Sequence, residues 1–235
     1  MPEQFVPITS VPDDSILESG FAQRPKSPCK DARMIEVFAD ITCPFTHAGL
    51  RRLIDHRSAL GSDVRFHFKA WPLEWVNGEP LAPDFVAAEI GAIRQQVAPD
   101  LFQGFDPSRF PSTTIAAHAL SSLAYSRAPD LGEAVGLALR DAVFERGRDV
   151  GDAAVLNEVA AEFGLEAASL DLGVVRSEYE EGIARGVVGS PYFFIVDVGY
   201  FCPALDIAKV DGHFVITTDV AAFDDFVARA FGRAS

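Results

Sequence analysis

Apolar positions along the chain change their spacing several times, and each change marks a different kind of element. From Met34 to Ile41 nearly every residue is apolar, with Ile35, Val37 and Ala39 on one face. A run this short and this apolar predicts a central strand covered on both sides. Residues from Cys43 to about Leu60 follow a helical spacing that turns Leu50, Leu53 and Ile54 inward. Val64 to Lys69 alternates cleanly and predicts a second strand. Strand, helix, strand in that order opens an α/β unit whose two strands run parallel.

At about Pro83 the spacing becomes helical and stays so to Gly186. Ile115, Ala119 and Leu123 mark one helix, and Val135, Leu139 and Val143 a second. Val155, Leu156, Val159 and Phe163 mark a third, with Asp152 placed to cap its start. Val175, Tyr179 and Ile183 mark a fourth, which Gly186 ends. These predict a helical insertion over about residues 83–186. After Pro191 the period of two returns: Phe193 to Val196 and Tyr200 to Cys202 flank Asp197-Val198-Gly199 and predict a hairpin. A last helix carries Phe223, Phe226, Val227, Ala230 and Phe231. One α/β domain over residues 34–231 accounts for all of this. Residues 1–33, with five prolines and little apolar spacing, read as an N-terminal extension.

Charge narrows the partners. The net charge of −14 repels nucleic acid and anionic membrane at long range. The first residues show neither a basic start nor an apolar run long enough for a secretory signal, and no stretch approaches a membrane span. A cytoplasmic location is the expectation. Three cysteines, Cys29, Cys43 and Cys202, are too few and too scattered for a disulfide framework.

Chemistry concentrates at Cys43-Pro44-Phe45-Thr46, between the first strand and its helix. Pro44 suits the first helical position, where its missing N–H costs nothing. The unpaired N–H groups of that turn then face the Cys43 sulfur, and Thr46, one turn on, can donate a further hydrogen bond. Both favour a thiolate, so the Cys43 pKa is expected below the ordinary value of about 8.5, with burial opposing. His47 follows on the same helix and either reaches the thiolate or is satisfied within the core. Gly189-Ser190-Pro191 precedes a strand far along the chain and by itself reads as a plain turn. Trp71-Pro72-Leu73 either walls a cleft or simply packs. His56, His67, His118 and His213 show no metal-ligand spacing, and no metal is expected.

The segment MIEVFADITCPFTHAGLRRL resembles the strand, motif and helix of the DsbA-like family. This family of thioredoxin fold includes FrnE-type oxidoreductases and 2-hydroxychromene-2-carboxylate isomerases. FERGRDVGDAAVLNEVAAEFGL and GVVGSPYFFIVDVGYFCPALDI resemble its insertion, proline loop and terminal hairpin in the same order. The resemblance implies a DsbA-like thioredoxin fold with a large helical insertion. It also implies a cis Ser190–Pro191 bond beside Cys43, with Pro44, Phe45, Ser190 and Pro191 contacting substrate. No tightly bound cofactor is expected; glutathione or another low-molecular-weight thiol is the implied co-substrate, and a homodimer is allowed.

One departure matters. Redox-active relatives carry Cys-x-x-Cys, whose second cysteine attacks the mixed disulfide formed by the first. Here Thr46 stands at that position, so Cys43 needs another thiol. Cys202, either a small filler of the sheet or a displaced partner, is expected opposite Phe193 or Phe194, one strand beyond that of Pro191. Two strand steps of about 4.8 Å exceed the roughly 7 Å that a disulfide spans between Cα atoms. The expectation is therefore no resting Cys43–Cys202 bond and resolution by an external thiol. Three functions fit: a thiol-disulfide oxidoreductase using one motif cysteine, a glutathione-dependent isomerase or transferase, and a binding module without catalysis.

Overall fold

The computed structural model describes residues 34–210 and 213–232. The expected extension, residues 1–33, and Cys29 within it lie outside the described residues. β1 (Met34–Ala39) is a central strand of a four-stranded sheet. β2 (Arg65–Ala70) pairs with it in parallel, from Met34 opposite Arg65 to Ala39 opposite Ala70. The connection between them is α1 (Pro44–Ala59). On the other side of β1 runs β3 (Tyr192–Ile195), antiparallel, and β4 (Val198–Phe201) forms the outer edge.

Between β2 and β3 lies the insertion. Its helices are α2 (Leu73–Val76), α3 (Pro83–Gln96), α4 (Ile115–Arg127), α5 (Pro129–Phe144), α6 (Ala153–Glu162) and α7 (Gly173–Ala184). Asp152 caps α6 by accepting from Ala154 N at 2.7 Å, and Gly186, left-handed at φ 76°, follows the end of α7. The insertion closes the free edge of β2. Phe66 N donates to Glu133 of α5, Phe68 N to Tyr125 of α4, and Ala70 N to Glu178 of α7. Three polar side chains, Glu133 and Glu178 buried and Tyr125 partly so, thus occupy backbone groups that would otherwise invite a further strand. The helix α5 comes close because Gly136 faces β2: a Cβ there would sit 2.3 Å from the Phe68 ring.

Both sheet faces are covered. On one, Phe66 and Phe193 meet Phe231 and Phe226 of α8 (Val220–Phe231), with ring centroids 6.1 and 5.4 Å apart. Each fully buried Phe of this kind stabilises the fold by about 1.5–3 kcal/mol. On the other, Phe38, Trp71, Val187 and Phe194 pack with Tyr179 of α7.

The hairpin departs from expectation. Its turn is Val196-Asp197, with Val196 at φ 58°, and Val198 and Gly199 belong to β4. Tyr200 therefore pairs with Phe193 and Phe201 with Tyr192, leaving Cys202 beyond the ladder. A β-branched residue is a poor choice for a positive φ, which is why turn chemistry favoured Gly199. Ile183, expected inward on α7, is 56% exposed. A two-stranded sheet, β5 (Asp206–Val210) with β6 (His213–Thr217), was not expected at all. Gln96 of α3 holds it, accepting from Ile216 N and donating to Phe214 O, each at 3.0 Å.

Candidate active site

Cys43 is the N-cap of α1, with Pro44 in the first turn. The chain reaches it from the end of β1 through Asp40, Ile41 and Thr42. Asp40 is buried, and its carboxyl group accepts from Thr42 N (2.7 Å), the Thr42 hydroxyl (2.6 Å), Leu73 N (2.6 Å) and the Thr114 hydroxyl (3.4 Å). One side chain thereby ties the motif loop to α2 and to the start of α4. Burial pushes the Asp40 carboxyl up, against these hydrogen bonds and the charge of Arg140.

The structure brings four of the expected residues together. The Cys43 thiol donates to Ser190 O at 3.3 Å. Thr46 Oγ1 and Ser190 Oγ share a hydrogen bond of 3.0 Å, and Ser190 Oγ also accepts from Asp40 N at 3.0 Å. The Ser190–Pro191 peptide bond is cis. Cys43, Pro44, Phe45, Thr46 and Pro191 are all buried, so Pro44 and Phe45 present no open contact surface.

Cys43 does not behave as its place on the helix suggested. Burial pushes its thiol up from the ordinary value; hydrogen bonds from Thr46 and Ser190 oppose this without offsetting it, and Glu89 adds to it. Desolvation of the charged form outweighs the helix N-terminus. The resting group is a protonated thiol, which is consistent with its donating to a carbonyl. This corrects the expectation of a lowered pKa.

Other expected residues have different tasks. His47 binds Glu145 at 2.8 Å and packs against the rings of Phe102 and Phe144. Glu145 also accepts from Phe102 N and Gln103 N, 2.8 and 3.2 Å away. Burial pushes Glu145 up, but these hydrogen bonds outweigh it and hold the carboxyl at about 2. His47 therefore joins α1 to the insertion. Trp71 is 4% exposed and packs against Tyr179. Cys202 lies just past β4, where its N–H donates to Pro191 O at 3.0 Å. Burial, and then the neighbouring Cys43, push the Cys202 thiol up to about 12. Both cysteines are free thiols.

Three residues of the site were missed at the sequence level. Asp40 is one; an acid ending an otherwise apolar strand was the available signal. Glu89 of α3 is buried, which pushes its carboxyl up to about 8. Arg140 of α5 is 1% exposed, stacks 4.5 Å over Phe68 and donates to Gly136 O at 2.7 Å. Burial lowers its pKa to about 10, so it remains a cation at neutral pH behind Asp40 and Cys43. Beside the motif a small cleft is lined by Asp40, Thr42, Glu74, Leu81, Thr113 and Thr114. Among the described residues no group of His, Cys, Asp and Glu is arranged to hold a metal, and no helix is long and apolar enough to cross a membrane.

Solved structures share this architecture. A probable DsbA oxidoreductase from Streptomyces coelicolor is 19% identical, with a TM-score of 0.57 over 86% of this chain and 91% of that one. The cytosolic disulfide reductase DsbM from Pseudomonas aeruginosa is 17% identical, with a TM-score of 0.53 over 83% of this chain and 95% of its own. A 2-hydroxychromene-2-carboxylate isomerase is 16% identical, with a TM-score of 0.54 over 72% and 88%. At such identities the likeness is one of fold. No curated protein matches by sequence. The DSBA-like thioredoxin domain matches residues 34–214, which span β1, the motif, the whole insertion and the proline loop, and the chain belongs to that family.

Proposed function

We propose that this chain is a thiol-disulfide oxidoreductase in which Cys43 is the one motif nucleophile and a low-molecular-weight thiol or disulfide is its substrate. The observation that carries this reading is the contact of Cys43 Sγ with Ser190 O, 3.3 Å, at the start of α1. The contact sets the sulfur against the dipeptide of the cis Ser190–Pro191 bond, which supports a role in engaging a thiol ligand there. The hydroxyls of Thr46 and Ser190, bonded to each other at 3.0 Å, and the Thr46 N–H lie close enough to favour the charged form of that sulfur. They stabilise the thiolate once it forms, as attack on a disulfide requires. Glutathione is the natural candidate, and a DsbM structure with GSH shares the fold at 16% identity.

The protonated state of Cys43 favours a second reading. A thiol that donates a hydrogen bond can steer the sulfur of a bound thiol as a serine hydroxyl does, in a glutathione-dependent isomerase or transferase without redox turnover. The two separate in one experiment, the reduction of a small glutathione mixed disulfide with reduced glutathione as electron donor. Catalysis that disappears in Cys43→Ser supports the first reading. A chain that turns over no disulfide, yet binds glutathione equally well as wild type and as Cys43→Ser, supports the second.

A further inference from the structure

Cys202 occupies a backbone position that a cysteine seldom takes. Its φ is 42°, in the left-handed region that glycine enters freely and a side chain does not. The conformation is held from both sides, by Cys202 N to Pro191 O at 3.0 Å and Leu205 N to Cys202 O at 3.2 Å. Neither bond uses the sulfur. The side chain is 7% exposed and belongs to the same apolar cluster as Cys43. Cys43 Sγ meets Ser190 O and Cys202 N meets Pro191 O, so the two cysteines grip consecutive carbonyls of one dipeptide. The turn that follows lies against α1, where a Cβ on Gly49 would stand 3.4 Å from that of Ala204. Counting strand steps separates residues inside a ladder, whereas Cys202 lies past Phe201, where the chain has left β4. Cys202 is thus tied to the dipeptide that Cys43 contacts, and both residues hold free, buried thiols.

We propose that Cys202 is the resolving thiol for Cys43, in the role that Thr46 cannot fill. The proposal rests on Cys43 exchanging with a disulfide, as above. The Cys43 sulfur attacks a small disulfide RSSR, forming Cys43–S–S–R; one RS⁻ leaves and takes up the Cys43 proton. The Cys202 sulfur then attacks the Cys43 sulfur, forming the Cys43–Cys202 disulfide. The second RS⁻ leaves and takes up the Cys202 proton. Two electrons pass from the protein dithiol to one low-molecular-weight disulfide, which becomes two thiols. Burial keeps the Cys202 thiol protonated at rest, so the second step, like the first, requires that a buried thiol lose its proton.

The full chain carrying Cys29→Ser tests this with excess oxidised glutathione as the probe, followed by alkylation, intact mass and peptide mapping. The expected product is a Cys43–Cys202 cross-link with the glutathione adduct lost. Cys202→Ser, and Cys202→Gly, which suits the left-handed backbone, should each retain the adduct on Cys43. An adduct that persists in the Cys29→Ser parent as it does in the Cys202 variants overturns the pairing and leaves Cys43 exchange standing. No adduct on Cys43 in any of these proteins overturns the exchange itself, and the pairing with it.

Discussion

At Cys43 two effects of opposite sign meet. The start of α1, the Thr46 hydroxyl and the Ser190 hydroxyl all favour a thiolate; near-complete burial and the Glu89 carboxyl disfavour it, and burial prevails. Glu89 itself ionises only above about 8, because burial withholds solvent from its charged form. Its negative charge is therefore present in the alkaline range where a raised thiol loses its proton. Glu89→Gln is expected to move the pH midpoint of Cys43 alkylation downward, and an unchanged midpoint would show that the two groups are not coupled. Cys43 and Thr46 could be found from the sequence because a cysteine and proline at a strand-to-helix junction are a local signal, whereas Ser190 and Pro191, locally a plain turn, were reached only through the family resemblance. Glu89 and Arg140 could not be found. Each sits among apolar neighbours on its own helix and becomes part of the site only when the insertion folds back onto α1 and β2.

Among the elements, those with a long and regular period were legible: β1, α1, β2, the start of α3 at Pro83 and the terminal helix α8. The hairpin was misplaced by two residues, because Gly199 offered better turn chemistry than Val196-Asp197. The β5 and β6 strands carried the Asp211-Gly212 signal between two alternating runs, and it went unread. His47 shows why a residue on the right helix can serve another purpose. Together with Glu145 and the Phe102 backbone, it anchors α1 to the insertion. Glu145→Gln retains one acceptor and loses the charge, so a loss of about 2 kcal/mol in urea unfolding at neutral pH is expected. The sign with pH follows from a folded value of about 2 against an ordinary 4.5. The stabilisation is present above about 4.5 and is lost as pH falls toward 2. The gap between wild type and variant should narrow over that window; a gap independent of pH would assign the loss to packing.

At the scale of the molecule, the motif sits where the sheet, the insertion and the turn after β4 converge. Asp40 joins the first two, reaching Leu73 of α2 and the Thr114 hydroxyl before α4, and Pro191 joins the third through Cys202. This convergence buries the thiol that the family's chemistry would use. It also brings a second thiol to the same dipeptide. In the function proposed above, Cys43 is protonated at rest and becomes nucleophilic as its proton is removed. The most direct test is the alkylation rate of Cys43 by iodoacetamide as a function of pH, with the modified site mapped by mass spectrometry. The expected result is modification at Cys43 with a midpoint above the ordinary thiol value of about 8.5. A midpoint below that value would contradict the protonated resting state, and a Cys43 left unmodified across the range where the protein stays folded would contradict its role as nucleophile.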